Sequence, residues 1–506
     1  MATAWIPNPE IPNSGKKRHR AGSIVKEFGL NTSTHGIPGI ARSESTHNRI
    51  FWTASLLIFF GVMVYFVTEA ILAYFTYPTQ TSVSIILEWP QAFPAVTVCN
   101  YSPLRYDRFI GPFLNYTNMR NLTNTTDTSH FTVEQSYYIQ DFLTYKLNRN
   151  ESLNDLFYSL DSMMMYCNYN GMPCEASNFT WFMSPNFGLC YTFNALLKTT
   201  GQEGLKYNAD NGSSGILQLR FYVHQHQYVP HLSNGVGMAI LVHDNIQLPL
   251  IELAAMYLAP GKHHRLGYAK KSSIFLPAPY TTCNENLNLG MQVMFNEYHD
   301  TDYEYAMYPC YLACIQAYTY KKCGCGHPFR WNVRSIILPN TDKIINIPLC
   351  DLKNPCYNEA TTEIMNTQSI WSTFCPDCTQ ECSYSEFTIT SSSLSAPPQF
   401  LMNDIKAFVE SSQVPLPVNW STTWTSEIQS GYVSLEVAYE TTRTEVYSQQ
   451  ATIGVVDVIS NVGGNTGLWI GISFLSLMEL AEMLYRLIRS LYQASREAKR
   501  TAVVQS

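Results

Sequence analysis

Most of the 506-residue chain mixes polar and apolar positions as a folded water-facing segment does, but two stretches do not. Residues 51–75, FWTASLLIFFGVMVYFVTEAILAYF, run 18 residues without a charge before Glu69. As a helix they extend about 37 Å, enough to cross a roughly 30 Å hydrocarbon core with some tilt. The second stretch, 451–485, is apolar but broken by glycines and by Asp457, Glu479 and Glu482. The pattern predicts two transmembrane helices, 51–75 and 451–485, separated by a long mixed-polarity segment.

The basic residues orient these spans. Lys16, Lys17, Arg18, Arg20, Lys26, Arg42 and Arg49 precede the first, and the next Lys or Arg is Arg105. Nothing basic lies between Arg443 and Arg486, whereas Arg486, Arg489, Arg496, Lys499 and Arg500 follow the second span. Positive charge stays on the cytoplasmic side, so both termini are expected there. The first 48 residues hold no apolar signal-peptide core, so the first span is expected to act as an uncleaved signal anchor. The expected layout is a cytoplasmic N-terminus (1–50), a span (51–75), an extracellular domain (76–450), a second span (451–485) and a cytoplasmic tail (486–506), in a plasma membrane.

Cysteine placement agrees. All fourteen cysteines fall between Cys99 and Cys382, inside the segment assigned to the oxidising side. Eight N-x-S/T sequons fall there too, at Asn100, Asn115, Asn121, Asn124, Asn150, Asn178, Asn211 and Asn419. They are glycosylation candidates, although Asn31 shows that the motif also arises on the cytoplasmic side. Cys323-Gly-Cys325 with His327, and Cys375-x-x-Cys378-x-x-x-Cys382, have zinc-like spacing. The extracellular setting favours disulfides, and spacing alone leaves their pairing open. Cys310 and Cys314 stand at i, i+4 on one helix face, and nested pairing with the later cysteines would staple two antiparallel segments into a stiff rod.

The net charge of −7 excludes a nucleic-acid binder. Neither a nucleophile elbow, an HExxH motif nor a phosphate loop points to an enzyme, and no cofactor or metal is implied. The second span carries the chemistry. Gly463, Gly467 and Gly471 recur every four residues, a row that suits tight helix dimers. On a straight helix Ser460, Gly464, Gly467 and Gly471 share a face, and Ser473 falls on the other side. If Gly471-Ile472-Ser473 is extended, its carbonyls and hydroxyl can line water, and irregular backbone at this depth is tolerated only beside protein or water. Glu479 and Glu482 are costly in a membrane and mark function. Two spans cannot enclose a pore, so a homo-oligomer is required. A non-conducting two-span receptor or adhesion protein is the alternative from another class, and it leaves Gly471-Ile472-Ser473 and Glu479 without a use.

At these residues the sequence resembles the degenerin/epithelial sodium channel/acid-sensing ion channel superfamily, nearly end to end. His35-Gly36 is similar to the family's cytoplasmic gating motif. Phe93 to Asn100, Gly188-Leu189-Cys190-Tyr191-Thr192-Phe193-Asn194, Ala259-Pro260-Gly261 and Leu276-Pro277-Ala278-Pro279-Tyr280 match further signatures. The resemblance implies a homotrimer of clenched-hand α+β ectodomains (palm, knuckle, finger at about 101–187, β-ball, thumb at about 283–382). It implies the bridges Cys99–Cys190, Cys167–Cys174, Cys283–Cys382, Cys310–Cys378, Cys314–Cys375, Cys323–Cys356 and Cys325–Cys350. It places Gly471, Ile472 and Ser473 on the sodium-selectivity belt, Gly467 on the amiloride-sensitive position, and Ser460 on the position where bulk holds relatives open. Gly463, Gly464 and Glu479 join them as pore residues, and Tyr280 and Tyr305 fall on the aromatic pair at the wrist.

Departures from the pattern choose the subfamily. Acid-sensing relatives carry an acidic pair where this chain has Ile246 and Gln247, which argues against proton gating; His224, His226, His231, His263 and His264 leave room for modulation by pH. The remaining pattern is most like the invertebrate FMRFamide-gated sodium channels. Tyr137, Tyr138 and Phe142, with Phe157, Tyr158, Tyr166 and Trp181, would supply aromatic walls for an amidated peptide, and Asp141, Asp155, Asp161 or Glu175 a negative charge. Acid-sensing, bile-acid-sensitive and constitutively open members of the superfamily are the alternatives.

Overall fold

The computed structural model describes residues 14–208 and 215–504, so the sequon at Asn211 lies outside the described residues. The chain forms two compact units, one from the two chain ends, up to Gln80 and from Ala451, the other from Thr81–Gln450.

Among the described residues the first unit holds five helices: α1 (Ser14–Asn31), α2 (Ile37–Arg42), α3 (Thr46–Phe75), α4 (Val455–Ile470) and α5 (Phe474–Val504). The helix α3 starts five residues before the apolar run and is long and apolar enough to cross a membrane by itself. Of the two readings of 451–485, a straight helix or one interrupted at Gly471-Ile472-Ser473, the structure has the second: α4 and α5 meet at 71° across residues 471–473, and together they are long and apolar enough for one broken span. At 16 residues, α4 reaches only about 24 Å. Its charged Asp457 sits in the first turn, where the carboxylate accepts the Gly454 N–H at 2.8 Å, a helix-start role for a charge that interrupts the apolar pattern.

The second unit is built on two sheets. In the larger, the order runs Thr79–Leu87, Arg443–Ala451, Lys262–Ile274, Tyr432–Tyr439, Ile216–Tyr222, Met164–Tyr169, Met172–Pro173, and Ser383–Ser395 also pairs with Lys262–Ile274. Strand Lys262–Ile274 binds Ser383–Ser395 antiparallel along its whole length, from Lys262 opposite Ser395 to Ile274 opposite Ser383. In the smaller sheet, Ala95–Asn100 and Met238–His243 are buried at every position, which is why they are mostly apolar with no alternation, and their polar Thr97, Asn100 and His243 are hydrogen-bonded inside. Phe93, Val98, Leu219, Phe221, Ile240, Leu266, Tyr268, Val433 and Leu435 form one core with both sheets.

A third layer is stapled. Helix Met307–Cys323 ends in a left-handed Gly324 and carries the buried Cys310 and Cys314. The disulfides are Cys99–Cys190, Cys167–Cys174, Cys283–Cys382, Cys310–Cys378, Cys314–Cys375, Cys323–Cys356 and Cys325–Cys350. Every sulfur of the two zinc-like motifs is thus consumed, which leaves the zinc reading without a thiolate and with His327 alone.

Two sequence expectations need correction here. Asn100 is not a glycosylation candidate: it is 2% exposed, its amide donates to the Val223 carbonyl at 3.0 Å, and its Oδ1 accepts from Tyr228 at 2.6 Å. Asn115, Asn121, Asn124, Asn150, Asn178 and Asn419 are exposed. Of the two tyrosines assigned to the wrist, Tyr305 is a core residue. It is buried among Met291, Phe295, Tyr298, Tyr303 and Cys310, and its hydroxyl donates to the Asp377 and Thr379 carbonyls at 3.0 and 2.5 Å. Tyr280 is half-buried, with its N–H on the Pro277 carbonyl at 3.2 Å. Finally, His224 does not titrate near neutrality, because burial lowers it to about 3, and burial also lowers His226 and His264.

Candidate functional site: the break between two helices

The break at Gly471-Ile472-Ser473 has a local cause at each residue. Gly471 ends α4 at φ +70°, in the left-handed region, with its N–H still on the Gly467 carbonyl at 3.1 Å. Ser473 starts α5 by reciprocal capping with Ser476. The Ser473 N–H donates to the Ser476 hydroxyl at 3.1 Å, and the Ser476 N–H to the Ser473 hydroxyl at 3.3 Å. Ile472 alone lies between a helix stop and a helix start.

A second segment closes on this break from 435 residues earlier in the chain. The His35 N–H donates to the Ile470 carbonyl at 2.8 Å. A Cβ on Gly471 would meet the His35 ring at 2.8 Å, so glycine is required there for contact as well as for φ. Gly36 stands at φ +84°, where any side chain is strained, and its Cβ would also lie 3.3 Å from Leu56 of α3. The His-Gly pair is thus one histidine that reaches the break and one glycine that lets the chain turn into α2.

Glu479 anchors the same segment. Its Oε2 accepts the Ser33 N–H at 3.0 Å, the Thr32 hydroxyl at 3.1 Å and the Ser33 hydroxyl at 3.3 Å. Ser33 and Ser476 hydroxyls share a hydrogen bond of 2.6 Å, and Ser476 reaches the Gly471 carbonyl at 3.3 Å. Farther along, Arg486 donates both terminal nitrogens to Glu27 of α1 at 3.2 Å. Thr32, Ser33 and Ser476 were missed by the sequence reading. A polar run, Asn31-Thr32-Ser33-Thr34, just before His35-Gly36 was the available signal.

The remaining predicted pore residues lie on α4. A Cβ on Gly463, Gly464 or Gly467 would meet nothing within 4 Å, and Ser460 is exposed. This glycine face does not pack on α3.

The residues predicted to bind an agonist are scattered. Tyr137 is 71% exposed, but Phe142 is 2% exposed and packs edge-on against Phe109 and Phe113, which corrects its reading as a binding wall. The Tyr166 ring is covered by the Arg220 guanidinium at 4.3 Å. Tyr138 is half-buried, and Asp141 is raised above the usual carboxylate range by burial first and Asp351 second. The adjoining face of that helix, Ile139, Gln140 and Leu143, lines a cavity of about 380 Å³ walled by Tyr101, Phe157, Phe187, Tyr257, Phe329 and Trp331. Asn186, Ser233 and Asn234 add polar groups, and no carboxylate or cation lines it.

His243, in the stretch compared with acid-sensing relatives, is held neutral. Its ring bonds Thr97 and the Asp244 carbonyl at 2.8 and 2.9 Å, and burial lowers it to about 4. Glu304, whose N–H donates to the Ile246 carbonyl at 2.8 Å, is raised by burial first and Asp244 next.

The model of the amiloride-sensitive sodium channel family matches residues 28–483. Among similar proteins, the epithelial sodium channel subunit gamma-2 of Xenopus laevis is 22% identical over 94% of this chain and 82% of its own length. The degenerin-like protein asic-2 of Caenorhabditis elegans is 25% identical over 91% of this chain and 86% of its own. The bile acid-sensitive ion channel of Mus musculus is 23% identical over 91% and 87%.

Proposed function

The chain belongs to the amiloride-sensitive sodium channel family, a family of plasma-membrane ion channels, and from that premise we propose that it forms a homotrimeric, sodium-selective, amiloride-blocked channel opened by an extracellular amidated peptide. The observation that carries the channel reading is the break at 471–473. Two helices stop and restart within three residues, and a Cβ on Gly463, Gly464 or Gly467 would meet nothing within 4 Å among the described residues. In a trimer three such faces border one axis. Gly467 gives amiloride its approach, Ser460 lies a helical turn or more above, and Gly471-Ile472-Ser473 narrows the path to a dehydrated cation.

The peptide reading rests on the aromatic cavity beside helix Ile139–Asn148. Its walls suit phenyl rings, and its amide and hydroxyl groups suit an uncharged C-terminus. A free carboxylate would lose its hydration there with no cation to meet it. FMRFamide and its free-acid form, applied to the homomer in oocytes, test this. Current to the amide with at least tenfold weaker response to the acid is expected, and equal potency defeats the reading. One observation favours acid modulation as a second reading: Glu304 stands beside Asp244 with its carboxyl raised, so it takes up a proton at higher pH than an exposed glutamate.

A further inference from the structure

The belt proposed above has a support that no motif marks. Trp469 occupies the last turn of α4, two residues before Gly471. Its indole lies near-parallel to two rings of α3, at 5.9 Å and 1° from Phe66 and 6.1 Å and 20° from Phe59. Phe59, Met63 and Phe66 follow the 4-then-3 spacing of one helix face, and Met63 is the buried side chain of α3. The Trp469 Nε1 is buried without an acceptor, so the ring is held by shape and stacking and gains nothing from its one polar atom.

We infer that Trp469 is the positioning residue of the selectivity belt: wedged against Phe59 and Phe66, it sets the rotation of the last turn of α4 and thereby where the carbonyls of Gly471 and Ile472 point. The reason is geometric. On the same helix Gly463, Gly464 and Gly467 offer α3 nothing to grip. Beyond Trp469 the chain leaves the helix at a glycine with φ +70°, a flexible joint that cannot hold its own angle. A flexible aliphatic side chain would fill the same apolar space and let the turn rotate. A flat ring between two flat rings does not. Filter geometry has to hold within about 0.5 Å to discriminate between cations, so a small rotation matters to selectivity before it matters to folding.

This inference rests on the belt reading, and the experiment separates the two. Trp469→Phe keeps a flat ring and drops the N–H; Trp469→Leu keeps the hydrophobicity and drops the ring. Both are compared with Ser473→Cys for sodium-over-potassium permeability from reversal potentials, with surface protein quantified. The expected result is near-normal selectivity in Trp469→Phe and at least a threefold loss in Trp469→Leu at comparable surface level. Phe59→Leu with Phe66→Leu should reproduce the loss, and adding Trp469→Leu to that pair should add little, because the three rings act as one unit. Unchanged selectivity in Trp469→Leu, with Ser473→Cys altered, overturns the positioning role and leaves the belt standing. No change in any variant overturns both. Equal loss in Trp469→Phe and Trp469→Leu overturns the stacking account. If Trp469→Leu is absent from the surface, the Phe59/Phe66 pair decides: unchanged selectivity there overturns the proposal.

Discussion

The stapled segment 283–382 and the break at 471–473 solve opposite problems. The first is held by covalent bonds: Cys310 and Cys314, one helical turn apart, are tied to Cys378 and Cys375, and Cys283–Cys382 closes the base. The second has no covalent tie. It is held by one histidine N–H, three hydrogen bonds to Glu479, a serine pair and two glycines that accept left-handed backbone. Each of those contacts is worth about 1 kcal/mol and can open locally without unfolding the molecule. A rigid segment can carry displacement without absorbing it, whereas a site made of weak contacts can change state. The contrast suits a channel in which an extracellular event must reach a small, switchable constriction.

Removing covalent constraint should give the largest effect. The double change Cys314→Ser with Cys375→Ser opens a loop of 61 residues and should cost about 2–4 kcal/mol, read as a marked fall in melting temperature of the detergent-solubilised channel. The same experiment on the break should look different. Gly471→Ala introduces strain at φ +70° and a Cβ at 2.8 Å from the His35 ring, together about 1–3 kcal/mol, but confined to one joint. Gating and current should change severely while the ectodomain's melting transition stays put. A global stability loss in Gly471→Ala equal to that of the cysteine pair would erase the distinction.

Protonation gives the next effect, and it is confined to the ectodomain. His224 and His243 are lowered by burial to about 3 and about 4. Above about pH 6.5 both folded and unfolded chains hold them neutral. Below that, the unfolded chain takes up protons that the folded chain refuses, so stability falls with pH until the folded values are reached. Each histidine should cost about 1.4 kcal/mol per pH unit in that window. The melting temperature should therefore drop between pH 6.5 and 5, and His243→Asn should flatten the drop. A channel whose stability is level across this window contradicts the buried neutral pair.

How much of this was legible beforehand follows from the same contrast. The first apolar helix and the disulfide-rich middle could be read because apolar length and cysteine placement are local signals. Cysteine pairing was not: spacing left it open, and only resemblance to a family supplied it. The cap at Ser473 and the left-handed turn at Gly471 were half legible, since a glycine and a serine flanking one residue suggest a break but give no 71° bend. The polar run at Asn31-Thr32-Ser33-Thr34 marked one side of the contact of His35 with Ile470 and of Thr32 and Ser33 with Glu479, but not its partner, because the contact joins residues over 430 positions apart. Phe142 was misplaced for a related reason. An aromatic residue has the same letter in a core as on a wall, and burial decides which.

The smallest and sharpest test concerns two serines three residues apart. Ser473 and Ser476 cap each other at the start of α5, so removing either hydroxyl should cost that helix about 1 kcal/mol. Their other partners differ. Ser476 is 4% exposed and reaches Ser33 and the Gly471 carbonyl, whereas among the described residues the Ser473 hydroxyl bonds Ser476 alone. If Ser473 faces the ion path, Ser473→Ala should lower sodium-over-potassium permeability, because three hydroxyls leave the ring that replaces water around the ion. Ser476→Ala should instead loosen the His35 segment, changing open probability at nearly constant reversal potential. Reversal potential and single-channel open time, measured on both variants at matched surface level, separate the roles. A shift of reversal potential in Ser476→Ala with none in Ser473→Ala would exchange them and move the filter one helical turn into α5.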